Sequence, residues 1–284
     1  MAGLNAASFA GHNDWRLPNV KELQSIVNYQ NGNPALSSAF NNGCTPGCTV
    51  LTCNCTLYES GVYWSSTTYV AAPQDALDLY PNFGQVGATG KTDAHFVRAV
   101  RGGSSCLPAT GQTTCWDSSG TVIPCAGTGQ DGDIQAGGPL SYTDNGDGTI
   151  TDNNTGLVWE KLSSDGSIHD QNMTYVWDNA FAVHVAALNT ANFAGHNDWR
   201  LPNVKELQSI VDYQNINPAV SSAFNNGCTP GCTACSCTFN SIYWSSTSYA
   251  TRAQRAWSLH INFGQVADDS KGNAFFVRAV RAGS

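Results

Sequence analysis

The sequence predicts an α+β protein built as a tandem repeat, with a first copy that is incomplete at its N-terminal side. The segment "FAGHNDWRLPNVKELQSIV" occurs letter for letter at residues 9–27 and 193–211. Strand-like runs follow it in both copies, but only the second copy is preceded by "SYTDNGDGTITDNNTGLVWEKL". We therefore expect an incomplete repeat over residues 1–104, a Gly/Thr/Pro-rich connector over 105–139 and a complete repeat over 140–284.

The repeated segment predicts a short helix. Asn19 and Glu22 have capping-box spacing, in which each side chain bonds the backbone amide of the other residue. Leu23, Ile26 and Val27 then form an apolar stripe that one face of a helix would bury.

The remaining elements follow from alternation and turn signals. In the second copy "YWSST", "WSLHINFGQV" and "FFVRAVR" are strand-like, and Asp147-Gly148 is typical of a hairpin turn. The run "TYVWDNAFAVHVAALN" places Trp177, Phe181 and Leu188 on one helical face. In the connector, we expect a small hairpin in "TTCWDSSGTVIPC".

Composition excludes several classes of function. The 284 residues carry a net charge of −8 and only 12% of them are charged. This balance argues against nucleic acid or an anionic membrane as a partner. No apolar run approaches the roughly 20 residues that a membrane-spanning helix needs. We expect a rigid, loop-rich protein of the extracellular space or cell surface.

Eleven cysteines are many for a reducing compartment. The four-cysteine cluster of each copy could form either disulfides or a zinc-binding knot. C-x3-C followed by C-x-C is, however, not a standard zinc spacing. We favour disulfides and an oxidising location; the connector's third cysteine, Cys106, is left over. The expected disulfide cysteines are Cys44, Cys48, Cys53, Cys55, Cys115, Cys125, Cys228, Cys232, Cys235 and Cys237.

No export signal is visible at the start of the chain. "MAGLNAASFAGH" lacks a basic start and an apolar stretch, and Met1–Asn5 aligns with Val185–Asn189 inside the second copy. We expect that the chain begins within a repeat and that an export signal lies upstream.

The motifs W-R-L-P-N-x-x-E-L, Y-W-S-S-T and F-V-R-A-V-R together resemble one family. It is the C-terminal domain of the Legionella collagen-like adhesin, which is similar to the C-type-lectin fold, to formylglycine-generating enzymes and to the variable proteins of diversity-generating retroelements. The resemblance implies a compact C-type-lectin-like unit with paired first and last strands, two helices beside them and a binding surface on long loops. The chain has neither the E-P-N nor the Q-P-D tripeptide of calcium-dependent lectins, and we expect no metal, cofactor or catalytic residue.

Comparison of the two copies indicates candidate ligand-binding residues. Ten of the thirteen Lys and Arg residues recur at equivalent positions, which is typical of structural charges. Arg252 and Arg255 instead replace Ala72 and Asp75. We expect ligand contacts from these two arginines with Ser258 and His260 in the second copy, and the matching first-copy residues are Asp75, Asp78 and Tyr80. In the same strand, Trp257, Leu259, Ile261 and Phe263 alternate with them and are expected to face the core.

Three functions are consistent with these patterns. The first is a non-catalytic, adhesin-like binding module for a glycan or protein surface, although neutral drift on an unused surface would give the same differences. The second is a structural subunit whose incomplete first copy self-associates by taking missing elements from a neighbouring chain. An enzyme related to the formylglycine generators is the third.

Overall fold

The chain folds into two compact units, Met1–Gly137 (unit 1) and Gly138–Ser284 (unit 2). Their structure is a computed structural model that describes residues 1–57, 59, 61–102 and 107–283. Both units combine short helices with sheets that are mostly antiparallel, and the predicted α+β class is confirmed. Connector residues 107–137 belong to unit 1, and connector residues 138 and 139 belong to unit 2.

Unit 1 is built on a three-stranded antiparallel sheet with the strand order β1–β2–β3. A two-stranded hairpin, β4–β5, lies in the connector, as the sequence predicts. The strands are β1 (Tyr63–Thr68), β2 (Asp75–Tyr80), β3 (Gln85–Gly90), β4 (Cys115–Trp116) and β5 (Val122–Ile123); the helical segments are Ala2–Ala6, Phe9–Gly11, Val20–Ser25, Ser38–Phe40 and Asp131–Ile134.

Unit 2 has two larger sheets. Their strand orders are β12–β11–β10–β13–β9 and β14–β8–β7–β6. The strands are β6 (Tyr142–Asp144), β7 (Thr149–Asp152), β8 (Leu157–Glu160), β9 (Thr174–Tyr175), β10 (Ile242–Ser248), β11 (Arg255–His260), β12 (Gln265–Ser270), β13 (Phe275–Phe276) and β14 (Val280–Ala282); the helical segments are Trp177–Asn179, Ala180–Val185, Ala186–Thr190, Phe193–Gly195, Val204–Ser209 and Ser222–Phe224.

The capped helix forms in both units as its local sequence predicts. Asn19 accepts a hydrogen bond from the Glu22 amide, and the Glu22 carboxylate accepts one from the Asn19 amide. The same capping box closes the start of Val204–Ser209 in unit 2. Because both partners lie within one turn, this helix start needs no tertiary contact to be specified.

A long helix covers one side of the larger sheet in unit 2. Trp177–Asn179, the π-helical Ala180–Val185 and Ala186–Thr190 follow one another without a break. Ala180 and Val185 pack in one cluster of buried residues. The sequence prediction of a helix here is confirmed, and burial of its apolar face ties the N-terminal half of unit 2 to its C-terminal half.

The hairpin β6–β7 and the next strand β8 hold the last strand of unit 2. β8 pairs antiparallel with β14, with Trp159 opposite Val280. The last strand of unit 2 thus pairs with its third strand, β8, and not, as the family resemblance implies, with its first strand, β6.

The connector is anchored on unit 1 by buried polar contacts. Thr67 and Thr110 both donate to Asp131 Oδ2, at 2.6 and 2.7 Å, and Lys21 Nζ donates to the Ala109 carbonyl at 2.9 Å. Burial raises the pKa of Asp131 to about 6, although the two threonine hydroxyls act against that rise. A buried carboxylate thus joins three separate stretches of the chain.

The cysteine pairing gives five disulfides, and the disulfide prediction is confirmed. The pairs are Cys44–Cys55, Cys48–Cys53, Cys115–Cys125, Cys228–Cys237 and Cys232–Cys235. Each four-cysteine loop has the same nested connectivity, and the predicted connector hairpin is closed as expected. These bonds are typical of a protein from an oxidising environment. Cys106 lies outside the described residues.

Among the helices of the described residues, none combines the length and the apolar character that crossing a bilayer requires.

Candidate functional site

The positions that differ most between the copies lie on two equivalent strand pairs. We call them the strand surfaces: β2 with β3 in unit 1, and β11 with β12 in unit 2. The register is the same in both, since Asp75 pairs with Gly90 where Arg255 pairs with Ser270. The backbone framework is therefore shared, and side-chain identity is what distinguishes the two surfaces.

The inner side of each strand surface is core. Trp257, Leu259 and Ile261 are at most 1% exposed, and Leu77 and Leu79 are equally buried in unit 1. Alternation along the strand predicts this arrangement, and the prediction is confirmed for these residues, whereas Phe263, expected on the same face, is only partly buried.

In unit 2 the strand surface is a network of basic and acidic side chains. The Arg255 guanidinium bonds both the carboxylate and the carbonyl of Asp268. Ser258 donates to Asp269 Oδ2 at 2.7 Å, and His260 Nε2 lies 3.6 Å from the same oxygen. Burial raises the pKa of Asp269, but the nearby imidazole and hydroxyl outweigh it, and the pKa lies below its ordinary value. The basic residues of this surface are thus matched by acids on the neighbouring strand.

In unit 1 the same place holds a different arrangement. Thr89 Oγ1 donates to Asp78 Oδ2 at 2.6 Å, and His95 Nε2 lies 2.7 Å from the same hydroxyl. Desolvation of the buried carboxylate raises the pKa of Asp78, although the Thr89 hydrogen bond acts against it. A carboxylate, a hydroxyl and an imidazole replace the arginine, histidine and two aspartates of unit 2.

The structure corrects the expectation that Asp78 and Ser258 are solvated. Both are 0% exposed. Each lies on a strand paired on both sides, so neighbouring strands and their side chains cover it from either edge. These two residues position the acids and hydroxyls beside them and do not reach the surface.

The other candidate residues do reach solvent. Arg252 is exposed in the turn before β11, where its amide donates to the Tyr249 carbonyl. Arg255, His260, Asp75 and Tyr80 are all partly exposed, at the two ends of β11 and β2.

Sequence comparison of one strand at a time misses half of each network. Asp268 and Asp269 of β12, and Thr89 and His95 in unit 1, were not among the candidates. A comparison of the next strand would have revealed Thr89, Asp268 and Asp269, because its sequence is "QVGATG" in the first copy and "QVADDS" in the second. Arg255 and Ser258 differ from their first-copy equivalents, and so do the residues of β12 that they contact, which indicates that the two strands differ together.

Gly87 shows how tight this coupling is. A Cβ at this position would lie 2.6 Å from Tyr80 Cε2 and 2.9 Å from Asp78 Oδ1. Unit 2 has Ala267 at the equivalent position, beside the smaller Ser258. The side chains of β2 therefore restrict which residues are possible on β3.

The described residues include two groups that could supply metal ligands, both within the cysteine loops. The sulfurs of Cys48, Cys53 and Cys55 lie within 4.8 Å of one another, as do those of Cys232, Cys235 and Cys237. Every one of these sulfurs is in a disulfide, and a disulfide sulfur has no thiolate to donate to a metal.

A second polar cluster in unit 2 is buried and holds the fold together. Glu160 Oε1 lies 2.8 Å from His169 Nδ1, and Glu160 Oε2 lies 2.9 Å from His184 Nε2. Burial would raise the pKa of Glu160, but the two imidazoles outweigh it and lower that pKa to about 2. Glu160 is 0% and His184 2% exposed. Neither can contact a substrate in this conformation.

Fold and site together define a disulfide-linked α+β domain whose strand surface differs between copies. A family model described as the Lcl C-terminal domain matches residues 1–101 and 148–281, and the chain belongs to this family. The resemblance drawn from the W-R-L-P-N and F-V-R-A-V-R motifs is thereby confirmed. No curated protein matches the chain.

Proposed function

We propose that the protein is a non-catalytic binding module of the extracellular space or cell surface, with a different ligand specificity in each unit. The observation that carries this proposal is the exchange of complete side-chain networks on strand pairs of identical register. Neutral drift would change single positions, whereas Arg255 and Ser258 have changed together with their partners Asp268 and Asp269. Family membership and the five disulfides also support it.

The proposed ligands are glycans or protein surfaces. In unit 2, Arg252, Arg255 and His260 would donate hydrogen bonds to ligand oxygens, with Ser258 holding Asp269 in place beneath them. In unit 1, Asp75 and Tyr80 would take the equivalent role, supported by Asp78. A guanidinium favours carboxylate or other anionic acceptors, whereas an aspartate favours donors such as hydroxyl groups, so the two units would select different partners.

Replacing Arg252 and Arg255 with alanine should weaken ligand binding by unit 2 about tenfold or more, because contacts to charged groups contribute about 1.5–3 kcal/mol each. The full chain would be screened on a glycan array and in pulldowns. Each ligand found would then be titrated against the double variant and against Arg252→Ala alone.

Asp75→Ala is the matched control, because it alters the equivalent surface of unit 1 only. It should leave ligands of unit 2 unaffected. If every ligand of the wild-type chain bound the double variant equally well, the assignment of this strand surface would be wrong.

A second candidate function is that of a structural subunit whose first unit is completed by a neighbouring chain. The observation favouring it is the exposure of the last strand-like segment of unit 1. Phe96 and Val97 are 45% and 48% exposed, whereas the equivalent Phe276 and Val277 are 9% and 3% exposed. Exposed neighbouring apolar residues of this kind mark interaction surfaces.

This second function predicts concentration-dependent association of the oxidised full chain, because the exposed segment is buried only in an assembly. Size-exclusion chromatography with light scattering would measure it, with Val97→Asp as the variant expected to restore the monomer. A strict monomer at all accessible concentrations would contradict the structural role.

A further inference from the structure

Each cysteine loop brings its four sulfur atoms into one small space. The loops are residues 44–55 in unit 1 and 228–237 in unit 2, and in each the inner disulfide lies within the outer one. Three of the four sulfurs lie within 4.8 Å of one another, and the fourth is bonded to one of these three. The inner pair is C-x4-C in unit 1 and C-x2-C in unit 2. The sulfur cluster is therefore kept when the spacing of its cysteines changes.

The distances between the two disulfides of a loop match the coordination sphere of a zinc ion. Zn²⁺ holds four thiolates in a tetrahedron at about 2.3 Å, which places neighbouring sulfurs about 3.8 Å apart. Cys48 Sγ lies 3.7 Å from Cys55 Sγ, and Cys232 Sγ lies 3.9 Å from Cys237 Sγ. Cys235 Sγ is slightly closer to Cys237 Sγ, at 3.3 Å. After reduction, each formerly bonded pair would have to open by only about 1.8 Å, which rotation about two Cα–Cβ bonds can supply.

Backbone hydrogen bonds hold each loop closed independently of its disulfides. Asn42 and Asn54 exchange two amide-to-carbonyl bonds of 2.8 and 2.9 Å in unit 1. Asn226 and Ser236 exchange two such bonds of 2.7 and 3.1 Å in unit 2. Both pairs adjoin the outer cysteines in the chain. Because these bonds do not involve sulfur, we expect the thiols of a reduced loop to stay close together.

A buried guanidinium lies beside each loop. Arg98 donates to the Cys55 carbonyl at 2.9 Å, and the equivalent Arg278 donates to the Cys237 carbonyl. Arg278 is 1% exposed, and burial lowers the pKa of both arginines. A zinc ion with four thiolates carries a net negative charge. A fixed positive charge at this position therefore favours both the thiolate form of the cysteines and the bound metal.

We propose that each cysteine loop is a redox-dependent zinc site, with its four cysteines as the ligands of one Zn²⁺. A dithiol reductant supplies the two electrons and two protons that each disulfide takes up, and is itself oxidised to a disulfide. Zn²⁺ then displaces the protons of the four thiols and cross-links the loop in place of its two disulfides. The oxidised loop has no thiolate and binds no zinc. This site is separate from the strand surfaces and does not depend on the proposed ligand binding.

The zinc content of the full chain tests the proposal. The chain would be reduced with a phosphine in metal-free buffer, separated from the reductant without oxygen, incubated with excess Zn²⁺ and freed of unbound metal by gel filtration. Elemental mass spectrometry should find about two zinc ions in each reduced chain and none in the oxidised chain. Co²⁺ in place of Zn²⁺ should give the sulfur-to-metal charge-transfer absorption of a tetrahedral thiolate site.

Paired serine substitutions assign the metal to the loops. Cys48→Ser with Cys53→Ser removes two ligands in unit 1 and leaves the outer disulfide of the oxidised chain in place. The reduced variant should hold about one zinc ion per chain. Cys232→Ser with Cys235→Ser should have the same effect through unit 2.

Cys115→Ser with Cys125→Ser is the matched control. This pair belongs to no larger group of metal-ligand side chains among the described residues, so the zinc content should stay at about two ions per chain. A reduced chain that binds no zinc would overturn the proposal. So would a zinc content that neither loop variant lowers, or that the control lowers as much as they do.

Hydrogen exchange distinguishes a folded site from zinc held by an unfolded chain. In the reduced chain, Zn²⁺ should raise the amide protection of peptides covering residues 42–55 and 226–237. Zinc binding without this rise in protection would show chelation by unstructured cysteines, and the assignment of a site built into the loops would then be wrong.

Discussion

Replacing Glu160 with alanine should lower the free energy of unfolding of unit 2 by about 3–5 kcal/mol, the range expected when one partner of a buried charge network is removed. Glu160 bonds both His169 and His184 and accepts the Ala279 amide. Without it, a buried imidazole and a buried amide each lose their partner, and Arg278 loses a neighbouring negative charge. This is the largest effect that we expect from a single substitution.

Hydrogen exchange with mass spectrometry would measure this change separately in the two units. Protection should fall across the peptides of residues 138–283 and remain constant in those of unit 1. Glu59→Ala removes an exposed glutamate and is the control. Unchanged protection in unit 2 would show that the buried cluster contributes little to stability.

Asp131 should make unit 1 less stable as the pH rises from about 4 to about 6. The carboxyl has a pKa of about 6 in the folded chain, against an ordinary value of 3.8. Between these values the folded state holds a proton that the unfolded state has released, so raising the pH favours unfolding. At about 1.36 kcal/mol for each unit of pKa, the loss reaches about 3 kcal/mol at neutral pH.

Comparison with Asp131→Asn isolates this effect, because all other titrating groups cancel. Urea unfolding would be measured at a series of pH values. Between pH 4 and pH 8 the stability difference between variant and wild type should shift in favour of the variant by about 2.4 kcal/mol. Gln135→Ala, four residues away and without a titrating group, should give a constant difference. A flat Asp131→Asn profile would contradict the assignment.

Elements specified by neighbouring residues were predictable from the sequence. The capping box of Asn19 and Glu22, the hairpin around Asp147-Gly148 and the Cys115–Cys125 closure each depend on residues close together in the chain. Their physical causes, amide capping, turn geometry and a short loop, do not require knowledge of the tertiary fold.

Features that depend on register or on distant contacts were not predictable in this way. The pairing of Arg255 with Asp268 requires the alignment of β11 on β12, which a single strand does not reveal. Burial of Asp78 and Ser258 was missed because alternation assumes that one side of the strand faces water. Asp131 lies in a Gly/Thr-rich connector without periodicity, so nothing local marks it as an anchor of unit 1.

The Tyr80–Gly87 contact has a consequence for protein engineering. Consider a graft that moves only one strand of a strand surface from one unit to the other. Placing the β2 sequence beside β12 would bring Tyr80 against the methyl group of Ala267 and leave Asp268 and Asp269 without basic neighbours. Combinatorial libraries on this scaffold should therefore randomise or transplant both strands of a strand surface together. Successful clones should carry paired changes on the two strands instead of isolated changes on one.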